Sequence, residues 1–109
     1  MQNTAESPAV PPLLSVIVPA YNEAGRIGPT LRALHEYLYN QQYTFEVVLV
    51  DDGSRDATIR EALSAWPHNG FRVLRQDHNQ GKGAAVRRGM LEAHGEYRIF
   101  TDADNSTPI

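Results

Sequence analysis

The sequence has no cysteine among its 109 residues. Neither a disulfide framework nor a thiolate metal site can form, so any metal must be held by oxygen or imidazole. A chain without thiols fits a reducing compartment. An excess of basic residues is also missing. Ten Lys and Arg against thirteen Asp and Glu give a formal charge of -3 and a pI near 5.7, the reverse of the basic footprint that nucleic acid selects. Nucleic acid is therefore not an expected partner. Long hydrophobic runs are lacking too: the apolar stretches are a handful of residues each, far short of the ~20 that cross a bilayer, and no signal-type apolar segment follows Met1. No internal repeat or low-complexity tract is present. The length and the 41% hydrophobic content leave room for one core and one domain.

What remains is an alternation of two patterns. Residues 1–12 mix Gln, Asn, Ser and three prolines and read as a flexible leader, with the folded domain spanning residues 13–109. From Leu14 to Val18 a short β-branched run closed by Pro19 suits a buried strand. Ile27, Leu31, Leu34 and Leu38 then fall at spacings of four, three and four, the stripe of a helix with Pro29 in its first turn. A second, nearly continuous run, Phe45 to Val50, ends in the turn cluster Asp51-Asp52-Gly53-Ser54. A second helix follows over Asp56 to Trp66, with Ile59, Ala62, Leu63 and Trp66 as its apolar stripe. Phe71 to Arg75 reads as a third strand, Ala84 to Ala93 as a third helix stopped by Gly95, and Tyr97 to Thr101 as a fourth strand. Strands alternating with helices over short connections specify parallel pairing through right-handed crossovers, so the fold class is α/β with helices on both faces of the sheet.

In such sheets ligands sit at the carboxyl ends of the strands, which directs attention to four polar segments. After strand four, Asp102 and Asp104 flank Ala103. Two carboxylates two positions apart at the end of an extended segment project to one side and offer hard oxygen donors. Mg²⁺ or Mn²⁺ suits such a pair, completing its shell with water and the oxygens of a diphosphate, whose departure it would stabilise as a Lewis acid. The same pair also serves as a turn device, and alone it does not decide. After strand two, Ser54 or Asp56 reads as a helix N-cap. Asp51 and Asp52 are adjacent acids that repel and need a partner, a base amide, a ribose hydroxyl or a cation. After strand one, Pro19, Ala20, Tyr21 and Glu23 supply a fixed turn, an aromatic face and a carboxylate, suited to a nucleoside; the plainer alternative has Asn22 or Glu23 satisfying the next helix's amides. After strand three, Gly81, Lys82 and Gly83 open a helix whose N-terminus and ammonium suit phosphate. This is not a P-loop, which would need glycine at Gln76 and Ser or Thr at Gly83. His78 reads as a solvated loop histidine. Arg87 and Arg88 read as a solvated helix face from which one guanidinium could lean toward phosphate.

Taken together, SVIVPAYNEAGRI, EVVLVDDGSRDAT, NQGKGAAVRRGM and FTDADNSTPI, in this order and spacing, resemble the N-terminal half of glycosyltransferase family 2, whose fold is the Rossmann-like GT-A sheet. The resemblance runs from about Ser15 to Ile109. Gly-Lys-Gly before the third helix and Thr-Asp-Ala-Asp followed by Ser-Thr-Pro are most similar to dolichyl-phosphate and related polyprenyl-phosphate glucosyltransferases. The resemblance implies metal-dependent, inverting transfer of a sugar from a nucleoside diphosphate, with UDP-glucose favoured, to a lipid phosphate. Carried over by position, Pro19, Ala20, Tyr21, Glu23 and Asp52 hold the nucleoside, with Asp51 sharing that role. Lys82 approaches the diphosphate or the nucleoside. Asp102 serves ribose or sugar and Asp104 the metal, with Asp102 as the second metal candidate and Ala103 between them in the donor site. Enzymes of this kind place acceptor recognition, and often a catalytic carboxylate, beyond the Asp-x-Asp. The chain is accordingly expected to carry the donor-binding part, to lack the acceptor part and a nameable base, and to turn over poorly or not at all by itself. A cytoplasmic location is expected, either peripheral to or anchored at the cytoplasmic face of a membrane through segments outside this chain. Two other readings stand beside this one: a non-catalytic nucleotide-sugar-binding module, and a sugar-1-phosphate nucleotidyltransferase. The latter needs a glycine-rich loop after strand one, where Pro19 to Glu23 has none.

Overall fold

A computed structural model describes residues 10–104. Most of the expected leader and the Ser-Thr-Pro segment lie outside the described residues. Pro12 is already buried, and its carbonyl accepts the amide of Glu96. The elements follow the order β1 (Leu14–Ala20), α1 (Ile27–Tyr39), β2 (Phe45–Asp51), α2 (Thr58–Ala65), β3 (Phe71–Arg75), α3 (Lys82–Glu92) and β4 (Tyr97–Phe100). The four strands form one parallel sheet in the order β3-β2-β1-β4.

The nearly continuous apolar runs of β1 and β2 make sense because both faces of these central strands are covered. Val16, Val18 and Ala20 of β1, with Val47 and Leu49 of β2, pack under α1 and α2. The intervening Ile17, Val48 and Val50 face Ala85 and Ala93 at the other side, beneath α3. The period of two along each strand thus divides one run between two cores. The α1 stripe is buried as its spacing requires: Ile27, Leu31, Leu34 and Leu38 are all within 3% of full burial. Gly89 lets α3 lie against β1, since a Cβ there would come within 2.5 Å of Ile17 Cγ2.

Three boundaries differ from the sequence reading by two residues, for identifiable reasons. First, β1 continues through Pro19, which pairs opposite Val50. The Ile17 carbonyl serves the β4 side, accepting from Thr101, and the Ala20 carbonyl serves the β2 side, accepting from Asp52. By alternation, the N–H that proline lacks falls on the β4 side, where pairing has already ended at Phe100. Second, α2 is shorter than Asp56 to Trp66 and leaves Leu63 52% exposed. Thr58 and Ala62, four apart, set its buried face, and one residue further turns Leu63 about 100° away from it. Third, α3 starts at Lys82, two residues before the expected Ala84, because Gly81 at φ +101° makes the turn into the helix.

A candidate donor site at the carboxyl ends of the strands

The segments after β1, β2, β3 and β4 converge on one cleft of about 380 Å³, within the range of small-molecule sites. Pro19, Ala20, Tyr21 and Glu23 line it from the first segment and Asp52 from the second. Asn79, Lys82 and Ala85 line it from the third, and Asp102, Ala103 and Asp104 from the fourth. Nine of the ten residues that the sequence assigns to a donor site therefore share a single cavity.

Asp51 is the one that parts from them. It is fully buried, it does not line the cleft, and its Oδ2 accepts the amide of Ser54 at 2.9 Å, while Oδ1 has no hydrogen-bond partner among the described residues. Successive residues of an extended chain point to opposite sides, and Asp52 has the side toward the cleft. The share in nucleoside binding expected of Asp51 finds no support in its position.

Asp52 is 2% exposed, and its carboxylate accepts four hydrogen bonds. Gln76 Nε2 and the Gln80 amide donate to Oδ1 at 2.9 and 2.8 Å; Asn79 Nδ2 and the Gly81 amide donate to Oδ2 at 3.1 and 2.8 Å. These four donors use the roughly four lone-pair sites of a carboxylate. The repulsion expected between neighbouring acids is answered by neutral donors, and the loop from Gln76 to Gly81 is wrapped around Asp52. Two amides ahead of α3 are thereby committed to Asp52 and not to an incoming anion. Gly53 makes this closeness attainable: at φ +82°, its hypothetical Cβ would sit 2.7 Å from the backbone carbon of His78.

The first two loops are joined in a comparable way. Four successive amides of the first loop donate to side chains of the second loop and of the start of α2. Asn22 donates to Ser54 Oγ at 2.8 Å, Glu23 to Thr58 Oγ1 at 2.8 Å, Ala24 to Asp56 Oδ2 at 3.2 Å and Gly25 to Glu61 Oε1 at 2.6 Å. Asn22, in the left-handed region at φ +53°, returns the contact through Oδ1, which accepts the Arg55 amide at 2.9 Å. Ser54 therefore ties loops together and is no helix cap. Asp56 does receive the Thr58 amide at 3.0 Å, next to the start of α2, while also holding Ala24. Neither Asn22 nor the Glu23 side chain caps α1; the Glu23 carbonyl accepts from Arg26 and Ile27 instead.

Across the cleft, Lys82 Nζ pairs with Asp102 Oδ1 and lies 5.6 Å from the centre of the Phe100 ring. The Asp-x-Asp segment is a turn and not an extension of β4. Its centre is fixed by Thr30 of α1, whose hydroxyl donates to the buried Ala103 carbonyl at 2.7 Å, leaving the flanking acids on the cleft. At the first loop, Arg26 Nε donates to Glu23 Oε1 at 2.6 Å. That bond and the charge of Glu23, with smaller contributions from Asp104 and Asp56, hold the guanidinium above its ordinary pKa. Arg88 bonds the Arg75 carbonyl and Glu92, and Arg87 is exposed on α3; neither lines the cleft. His78 is exposed as well. The sequence reading missed Gln76, Asn79 and Ala85. A buried acid flanked by amide side chains was the available signal for the first two, but only the fold brings residues 24 to 29 positions apart together.

A parallel α/β sheet with one cleft at the carboxyl ends of its strands, lined by acids and a lysine, belongs to the class of nucleotide-binding folds. The match is closer than class. The family described as Glycosyl transferase family 2 covers residues 15–108, and the chain belongs to that family. It is 45% identical over 102 residues to the dolichyl-phosphate beta-glucosyltransferase of Drosophila melanogaster, covering 86% of this chain and 31% of that protein. It is 39% identical over 101 residues to the enzyme of the same name from Saccharomyces cerevisiae, covering 86% and 30%. The chain thus spans about a third of the length of these curated relatives. Among solved GT-A structures, S. aureus TarS 1-349 in complex with UDP aligns with a TM-score of 0.74 at 32% identity, over 84% of this chain and 27% of that one. The mannosyltransferase PcManGT from Pyrobaculum calidifontis, in complex with GDP-Man and Mn²⁺, aligns with a TM-score of 0.69 at 33% identity, over 94% and 30%.

Proposed function

We infer that the cleft is the donor site of a glycosyltransferase that takes a sugar from a nucleoside diphosphate, UDP-glucose being favoured, and passes it to a polyprenyl or dolichyl phosphate. The observation that carries this reading is the convergence of Tyr21, Asp52, Lys82, Asp102 and Asp104 on one cavity. The names of the most similar curated relatives support the lipid-phosphate acceptor and the glucosyl group.

Within the cleft, the half-exposed ring of Tyr21 offers a stacking face for the base, with Pro19, Ala20 and Glu23 framing the nucleoside. Asp52 contributes through the loop it holds, since its own acceptor sites are taken. Lys82 supplies the positive charge for the diphosphate, and Asp102 reaches ribose or sugar. Asp104, with Asp102, would hold a divalent cation. Among the described residues no third His, Asp or Glu joins them to make a closed cage. Two carboxylates on one wall of an open cleft fit Mg²⁺ or Mn²⁺, which keep water and phosphate oxygens in their shells. Such an ion, when bound, supplies Lewis-acid stabilisation of the departing diphosphate.

Transfer would proceed with inversion, the acceptor oxygen entering opposite the leaving diphosphate. A lipid phosphate is anionic at neutral pH, so positioning takes precedence over a general base. A lipid acceptor also sets the reaction at a membrane surface, although no helix among the described residues is long and apolar enough to cross a bilayer. The test is calorimetric titration of the chain with UDP, UDP-glucose and GDP-mannose, each with and without Mn²⁺. Mn²⁺-linked binding that favours UDP-glucose is expected; absence of binding by all three would remove the reading.

A further inference from the structure

Lys82, at the start of α3, and Asp102, just after β4, are 20 residues apart in the chain and meet across the cleft. The lysine is thus engaged with one of the two carboxylates offered to a cation. Its side chain is 58% exposed and that of Asp102 29%, so the pair lies at the solvent boundary and is not locked in a core. Apart from the Phe100 ring, the contacts described for Lys82 Nζ hold it only to Asp102. An ammonium on a four-carbon stem can leave one anion for another without moving the backbone.

We propose that Lys82 is a placeholder: its ammonium competes with a divalent cation for Asp102, and a diphosphate, by offering the ammonium another anion, relieves that competition. The proposal rests on the donor-site reading. It makes cation and diphosphate binding mutually reinforcing, and linkage requires each to strengthen the other equally. It also assigns opposite signs to one substitution. Removing the ammonium takes away one competitor for Asp102 but withdraws a positive charge from the diphosphate. A purely structural Lys82–Asp102 pair has no such signature, since losing it would loosen both walls of the cleft and weaken both ligands.

The experiment uses Mn²⁺ alone, followed by the electron paramagnetic resonance of the free ion, and UDP alone, followed by calorimetry. The chain is compared with Lys82→Met, Asp102→Asn and the double variant. Both side chains are solvent-accessible, and circular dichroism checks that every variant is folded. From the strength of a partly exposed ion pair, Lys82→Met should tighten Mn²⁺ about two- to fivefold, while weakening UDP measured without metal. The tightening should vanish in the Asp102→Asn background, because the competition runs through that carboxylate. Unchanged or weaker Mn²⁺ binding by Lys82→Met overturns the proposal. So does an equal tightening when Asp102 is already Asn, which would mark a general field effect, or UDP binding indifferent to Lys82. If Mn²⁺ does not bind the unsubstituted chain with or without UDP, the metal-dependent donor-site reading fails as well. Mn²⁺ binding that ignores Lys82 removes the placeholder alone.

Discussion

Replacing Asp52 by Ala removes the acceptor of four hydrogen bonds at once. The Gln76 amide, on a side chain only 7% exposed, is left without its partner, as are the backbone amides of Gln80 and Gly81. A hydrogen bond to a charged group contributes about 1.5 to 3 kcal/mol, but a shared acceptor is not additive, and the Asn79 side chain can return to water. The expected loss is about 2 to 4 kcal/mol of a total stability that is typically about 5 to 15 kcal/mol. For a domain of this size that is a fall of roughly 10 to 20 °C in the unfolding temperature. Asp52→Asn keeps one oxygen but turns an NH₂ toward two of the donors, so it should lie between the parent and Asp52→Ala. Thermal or urea unfolding gives the magnitude. Amide hydrogen exchange gives the location, with protection lost at Gln80 and Gly81 and retained in β1. The reasoning is refuted if Asp52→Ala costs less than about 0.5 kcal/mol, or if those amides stay protected. A stability unchanged while UDP binding disappears would recast Asp52 as a direct ligand and leave the loop to stand without it.

Gly53→Ala places a methyl group against the His78 backbone in a conformation that only glycine adopts without strain. It should cost about 1 to 3 kcal/mol in chemical denaturation, and a neutral result would mean the two loops are not in contact. The pH dependence of stability turns on Glu46. Burial pushes its carboxyl up, but the Ser15 hydroxyl, the His94 amide and the charges of Arg72 and His94 outweigh that and hold it below its ordinary 4.5. A depressed carboxyl binds fewer protons in the folded state, so its contribution is present above about 4.5 and is lost as pH falls through the lower folded value. Glu46→Gln should therefore destabilise the chain at neutral pH and flatten the acid limb; urea midpoints measured between pH 3 and 7 that show the same slope for both chains would contradict this.

The elements most legible in the sequence were those whose burial leaves a local pattern. The runs Leu14 to Val18 and Phe45 to Val50 are apolar except for Ser15 and Glu46 because each serves two cores, and the spacing of Ile27, Leu31, Leu34 and Leu38 reflects one contiguous face. Leu63 misled because α2 has only eight residues, too few for a stripe to separate a buried position from its neighbour. Adjacency hid the difference between Asp51 and Asp52: which side of β2 faces the cleft depends on strand register, and register is set by pairing with β1. The ties from Asn22, Glu23, Ala24 and Gly25 to side chains 32 to 36 residues away are non-local, and each donor read alone looks like an ordinary loop residue.

Those ties divide the cleft mechanically. With four consecutive amides stitched to the neighbouring segment, the wall bearing Tyr21 and Glu23 behaves as one stiff plate, and a guest cannot widen the opening by prying its two parts asunder. Adjustment to guests of different bulk falls instead to the opposite jaw, where a long aliphatic stem ending in a single charge spans the gap like a latch.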